Sequence, residues 1–93
     1  EARTQVHDES ARIQRGMAAH DPASVEQAAH KLAGGMGAIG FDALAASAKT
    51  LMQAIQLKLP EDEIRQRHEQ FNQQARYAST LLEHPGHMLK RAP

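Results

Sequence analysis

The sequence predicts an all-α fold, a four-helix up-down antiparallel bundle. Apolar residues recur three and four positions apart in four stretches, which is the spacing of a helix that buries one face. Proline or glycine interrupts this pattern at Asp21-Pro22, at Gly40 and at Leu59-Pro60, and no run of alternating β-branched residues predicts a strand. Short connections between consecutive helices favour antiparallel neighbours, so the four segments are expected to form one bundle.

The first helix is predicted over residues 3–19 and the second over residues 22–38. Asp21 is the expected N-cap of the second helix, and Pro22 suits its first position because the missing N–H has no helical partner there. The first helix has an apolar stripe of Val6, Ile13 and Met17, which Ala2, Ser10 and His20 extend. The apolar sector of the second helix contains Val25, Ala29, Leu32, Met36 and Ile39.

The third helix is predicted over residues 41–58 and the fourth over residues 60–83. Gly40 suits the connection before the third helix because glycine tolerates positive φ. The expected core stripe of the third helix is Phe41, Leu44, Ala48, Leu51, Met52 and Ile55, and that of the fourth is Ile64, His68, Phe71, Ala75, Ala78 and Leu82. The bundle then covers residues 1–84, and residues 85–93 are expected to form a flexible C-terminal tail.

Length and composition exclude several classes of function. The chain has 93 residues, enough for one domain but for little enclosed space, and it lacks cysteine, which excludes disulfides and thiolate chemistry. Eleven basic residues balance eleven acidic ones, so we expect no nucleic-acid partner and no direct membrane contact. The six histidines are scattered without the i, i+4 spacing of a metal-binding helix, so no metal site is expected.

An unusual stretch, Ala28 to Gly40, covers the second half of the second helix and the connection that follows it. On the helical wheel His30 projects roughly 140° away from Val25, and its neighbours along the helix include Gly34 and Gly37. Each glycine within a helix costs about 1 kcal/mol relative to alanine. Because these two glycines lie away from the core sector, we expect something outside the domain to approach the imidazole closely. Gly35 lies nearer the core, where a larger side chain is expected to overpack.

This stretch resembles the signature of histidine-containing phosphotransfer (HPt) domains. The family pattern has a lysine three positions after the histidine and a serine after the next glycine, where this chain has Ala33 and Gly35. The resemblance implies a helical bundle whose histidine carries a phosphoryl group between the aspartates of response-regulator receiver domains. The positions that match the pattern in order are Ala29, His30, Leu32, Gly34, Ile39, Gly40 and Leu44.

The resemblance also implies roles for individual residues. His30 would accept the phosphoryl group, while the receiver would supply Mg²⁺ and an acidic pocket, so the domain needs no cofactor of its own and no autonomous catalysis is expected. Lys31 and Lys49 are the two candidates for the cationic support that Ala33 cannot give, and the sequence does not choose between them. The residues expected to dock the receiver are Glu26, Gln27, Ala33, Gly34 and Gly37.

The wider context is also an expectation at this point. Because the chain starts with Glu1 rather than methionine, we expect a module of a longer protein, and the resemblance favours the C-terminal end of a hybrid sensor histidine kinase in the inner membrane. A stand-alone phosphotransfer protein remains open. In either case the domain is expected to be cytoplasmic and, when isolated, monomeric.

A different class of function also fits the sequence. The small-residue face of the second helix would suit a helical adaptor or oligomerisation module, because small side chains permit close helix approach. Exposure of His30 distinguishes the two, since phosphotransfer needs an accessible imidazole and helix pairing would cover it.

Overall fold

A computed structural model describes the backbone of residues 2–83 and the side chains of residues 4–82. Over this part of the chain the helices are α1 (Ala2–Ala18), α2 (Pro22–Ala38), α3 (Asp42–Gln56) and α4 (Glu61–Glu83). The predicted all-α four-helix fold is confirmed. Helix α3 begins one residue later and ends two residues earlier than the sequence predicts, and the predicted tail lies outside the described residues.

The helices form a ring in which each contacts two others. Consecutive helices pack against each other and α1 packs against α4, so α2 lies diagonally opposite α4. Helix α2 therefore has one flank against α1, one flank against α3 and an outer face between them. This arrangement decides which side chains can meet beside His30.

The connections on either side of α2 agree with the sequence. Asp21 accepts hydrogen bonds from the hydroxyl of Ser24, at 2.7 Å, and from its backbone N–H, at 3.4 Å, and these bonds lower the pKa of the Asp21 carboxyl. At the other end, Gly40 has φ of 92°, and the N–H of Phe41 donates to the carbonyl oxygen of Met36 at 2.9 Å. The N-cap and the glycine break are thus confirmed, and together they fix both ends of α2.

The core lies between the inward faces of all four helices. Two predicted core residues are wrong: Ile39 is 50% exposed because α2 ends at Ala38, and His20 is exposed because its φ of 53° takes it out of α1. Glu9 is buried although no core position was predicted for it. The buried apolar residues are Val6, Ile13, Val25, Ala28, Ala29, Leu32, Met36, Leu44, Ala48, Leu51, Ala54, Phe71, Ala75 and Ala78.

The glycine that serves close helix packing is Gly16, at the C-terminal end of α1. A Cβ atom built there would lie 2.6 Å from Cγ2 of Val25 and 3.3 Å from the carbonyl oxygen of Asp21. Both neighbours belong to the start of α2 and one of them is backbone, so neither can move away easily. Gly16 therefore allows α1 to pack closely against the N-terminal end of α2, about two turns before His30.

Candidate functional site

His30 lies near the middle of α2, and its side chain is exposed. One turn further along, a Cβ atom built at Gly34 would meet no heavy atom within 4 Å. The open surface that the sequence predicts beside the histidine is therefore present. No side chain at position 34 stands between the imidazole and a second molecule that approaches it from this side.

The other two glycines of the stretch face the neighbouring helices. Gly37 is exposed, and a Cβ atom there would lie 3.7 Å from the Cβ of Ala45 on α3, an ordinary contact. At Gly35 a Cβ atom would lie 2.7 Å from Oε1 of Gln5 on α1. Gly35 is half-buried, so it does lie nearer the core than exposed Gly34 and Gly37, as expected. Its near neighbour is the flexible end of the Gln5 side chain, however, so a larger residue there would displace Gln5 rather than overpack the core.

Among the expected docking residues, Glu26, Gln27 and Ala33 differ in exposure. Gln27 is exposed on the outer face, whereas Ala33 is half-buried and packs against the core. The carboxylate of half-buried Glu26 accepts a 2.8 Å hydrogen bond from Nε2 of Gln56 on α3. Ala33 and Glu26 thus belong to the seam between α2 and α3, and Gln27 and Gly34 belong to the open face.

The two candidate lysines lie on opposite flanks of α2. Nζ of Lys31 lies 4.0 Å from Oε2 of Glu9 on α1, and Glu9 also lies 3.6 Å from Nη1 of Arg12. Lys49 is exposed on α3, and within residues 4–82 it forms no ion pair. The structure therefore brings Lys31 towards α1 and leaves Lys49 exposed on α3.

Sequence reasoning did not predict Glu9 or Gln56. The sequence signal for Glu9 was its spacing: it lies three residues after Val6 and four before Ile13, on the buried stripe of α1. Gln56 follows Met52 at the same spacing on α3. Polar residues on such a stripe face a neighbouring helix, but the stripe alone does not identify the side chain that meets them.

Two further features bear on the class of site. Within the side chains that the structure describes, no three histidine, cysteine, aspartate or glutamate residues are grouped so that they could hold a metal ion. None of the helices in residues 2–83 is both long enough and apolar enough to cross a membrane. At the candidate site itself the structure places exposed His30 with Gly34 one turn away on the same helix.

The described residues thus define a class of structure, a helical bundle with an exposed histidine on the outer part of one helix. The comparison with protein families gives that class a name. A family model described as Hpt domain matches residues 2–84, and the chain belongs to this family. Hpt domains carry out histidine phosphotransfer in phosphorelays, where they work with response-regulator receiver domains. Neither the curated proteins nor the solved structures contain a match to the chain.

Proposed function

We propose that this chain accepts a phosphoryl group from a receiver-domain aspartate on His30 and passes it to the aspartate of another receiver. The observation that carries the proposal is the exposure of His30 next to open space at Gly34. A Cβ atom built at Gly34 would meet no heavy atom within 4 Å. Membership of the Hpt family supports it, because the matched residues 2–84 include the whole of α2.

The chemistry requires little of the domain itself. An unprotonated imidazole nitrogen provides the lone pair that forms the new N–P bond, while the O–P bond of the aspartyl phosphate breaks and the carboxylate leaves with that electron pair. No oxidant or reductant takes part, and the reverse transfer follows the same path. Catalysis then depends on proximity, in-line orientation and stabilisation of the phosphoryl charge.

The partner supplies the remaining groups in this proposal. The receiver contributes its aspartate, its acidic pocket and the Mg²⁺ ion, and the glycine-flanked face of α2 admits them. The outer residues Gln27 and Gly34 and the seam residues Glu26, Ala33 and Gly37 would form the docking surface. We further propose that the domain is a cytoplasmic module of a hybrid sensor kinase and acts as a monomer.

The test is to incubate the chain with a panel of phosphorylated receiver domains and to follow transfer of the label. The label should be acid-labile and base-stable, as expected of a phosphoramidate. His30→Gln should abolish it without loss of helicity, and His7→Gln, at an exposed histidine of α1, should not. Persistent labelling of the His30→Gln variant would assign the phosphoryl group to another residue and overturn the proposal.

A further inference from the structure

Helices α2 and α3 contact each other at two levels on either side of His30. At one level Gln56 donates its hydrogen bond to Glu26, and at the other Gly37 approaches Ala45. The helices are antiparallel, so each step forward along α2 corresponds to one step back along α3. The same register places Ala33 opposite Lys49, one turn of α2 beyond His30.

The rotational positions of the two side chains agree with this register. On α2 the residues Glu26, His30, Ala33 and Gly37 follow each other at spacings of four, three and four, so they form one stripe on the α3 flank. On α3 the stripe with the same spacing contains Ala45, Lys49, Met52 and Gln56. Glu26 contacts Gln56 at one end of the two stripes and Gly37 approaches Ala45 at the other. The α2–α3 seam therefore lies between the stripes, and it contains His30 and Lys49.

The offset between Lys49 and His30 along the helix axes is short. Ala33 is three residues from His30, about 4.5 Å along the helix axis. Lys49 is exposed, and Ala33 opposite it is small. Met52, which the same register places opposite His30, is half-buried. A flexible four-carbon stem that starts opposite Ala33 can therefore extend over the seam towards His30.

Lys31 lies on the other flank of α2 and is therefore the weaker candidate. It lies on the side that packs against α1, where its ammonium group is 4.0 Å from the Glu9 carboxylate. Glu9 is largely buried, with 11% of its side chain exposed, so its position is fixed by the α1–α2 contact. Pairing Lys31 with a group on His30 would require it to leave this carboxylate and cross the outer face of the helix.

We propose that Lys49 is the phosphoryl-binding residue of this domain. The inference rests on the proposed function of His30: once that residue is phosphorylated, Lys49 reaches across the α2–α3 seam and pairs with the phosphoryl oxygens. A phosphoryl group carries nearly two negative charges at neutral pH, and a lysine ammonium group offers three donors to it. Glu26 lies one turn before His30 on the same stripe, and its carboxylate accepts the hydrogen bond from Gln56.

The test uses phosphoramidate, a small donor that needs no receiver. Its P–N bond breaks as the His30 N–P bond forms, and ammonia leaves. In the full chain Lys49→Gln should lower the initial labelling rate by about two- to fivefold, the range that exposed ion pairs reach, with a smaller effect at high salt. Without the nearby cation the more negative form of the phosphoryl group is less favoured, so the midpoint of its ³¹P shift titration should rise. A two- to fivefold effect corresponds to a rise of about 0.3–0.7 pH unit.

The control variants separate charge from structure. Lys49→Arg should keep the midpoint of the original chain, and Lys31→Ala should leave both the labelling rate and the midpoint unchanged. An unchanged midpoint in Lys49→Gln would overturn the role of Lys49 while His30 remains the labelled residue. If His30→Gln is labelled as fast as the original chain, the proposed function itself fails, and the two failures are therefore distinguishable.

Discussion

The ammonium group of Lys31 lies 4.0 Å from Oε2 of Glu9, across the interface between α1 and α2. The pair joins an exposed lysine to a carboxylate that is 11% exposed, and Arg12 lies 3.6 Å from the other oxygen of the same group. Lys31 is the chain neighbour of His30, yet its charge is directed away from the α2–α3 seam. The proposed role of Lys49 thus assigns phosphoryl binding to a residue that is distant from His30 in sequence.

This geometry predicts that Lys31→Ala lowers the free energy of unfolding by less than about 1 kcal/mol, because the pair is largely exposed on the lysine side and Arg12 still faces the carboxylate. The rate of transfer from a phosphorylated receiver should not change. Urea unfolding and the transfer rate, measured on the same preparation, check both parts. A transfer rate reduced as much as that of Lys49→Gln would contradict the assignment of Lys31 to the α1 flank.

Gly34 and Gly37 lead to a prediction about access. Changing either residue to glutamine should leave stability unchanged or raise it by up to about 0.5 kcal/mol, because glutamine has the better helix propensity. A Cβ atom meets nothing within 4 Å at Gly34 and only Ala45, at an ordinary contact distance of 3.7 Å, at Gly37. Transfer from a receiver should nevertheless fall steeply, since a side chain then occupies the space through which the aspartyl phosphate must approach.

Melting temperature and transfer rate should be measured together for these variants. Ala18→Gln, at an exposed position of α1, provides the control for adding an amide side chain away from His30. If the Gly34→Gln and Gly37→Gln variants melt early while the remaining folded protein transfers normally, the glycines serve packing, and the adaptor interpretation gains support.

Gly16 and Gly35 should respond in opposite ways to alanine. At Gly16 the new methyl group would meet Val25 and the backbone of Asp21, and overpacking of this kind costs about 1–3 kcal/mol against about 1 kcal/mol gained in helix propensity. A net loss of up to about 2 kcal/mol is expected. At Gly35 only the Gln5 side chain must move, so Gly35→Ala should be neutral or stabilising by up to about 1 kcal/mol.

Thermal unfolding of both variants tests the difference, since about 1 kcal/mol shifts the midpoint of a domain of this size by roughly 4–8 °C. Gly34→Ala, where the methyl group meets nothing within 4 Å, gives the propensity effect alone. Equal melting temperatures for Gly16→Ala and Gly34→Ala would mean that α1 and α2 can separate at no cost.

The position of His68 on α4 leads to a prediction about how the free energy of unfolding depends on pH. Its half-buried position lowers its pKa, because desolvation disfavours the charged ring, and nearby Glu69 opposes this shift. Nε2 is buried and has no hydrogen-bond partner among the described residues. In the unfolded chain the ring takes up a proton near pH 6.5, while the folded protein resists it. The contribution of His68 is therefore intact above about pH 6.5 and is lost as the pH falls through that value towards its lower folded pKa.

Urea unfolding at pH 7.5 and pH 5.5 measures this loss. His68→Leu should lose less stability between the two pH values than the original chain, because leucine has no proton to bind. His7→Gln, which removes an exposed histidine, should retain the dependence of the original chain. Equal losses for His68→Leu and the original chain would show that groups other than His68 cause the acid sensitivity.

The four helices, both ends of α2 and the exposure of His30 could all be predicted from the sequence. These features depend on short-range physics: the period of apolar residues, the hydrogen bonds of an N-cap and the positive φ of Gly40 are properties of neighbouring residues. The wheel was wrong at Ile39 because the helical period was carried one residue past Ala38, the end that the sequence itself predicted and the structure has.

The tertiary structure alone decided which residues meet between helices. Gly16 against Val25, Gly35 beside Gln5, Glu9 with Lys31 and the seam that contains Lys49 all depend on how α2 is rotated and how far it is shifted along α1 and α3. A helical wheel gives the direction of each side chain around its own axis but not the register between two axes. The choice between Lys31 and Lys49 needed that register, and so it could be made only from the folded bundle.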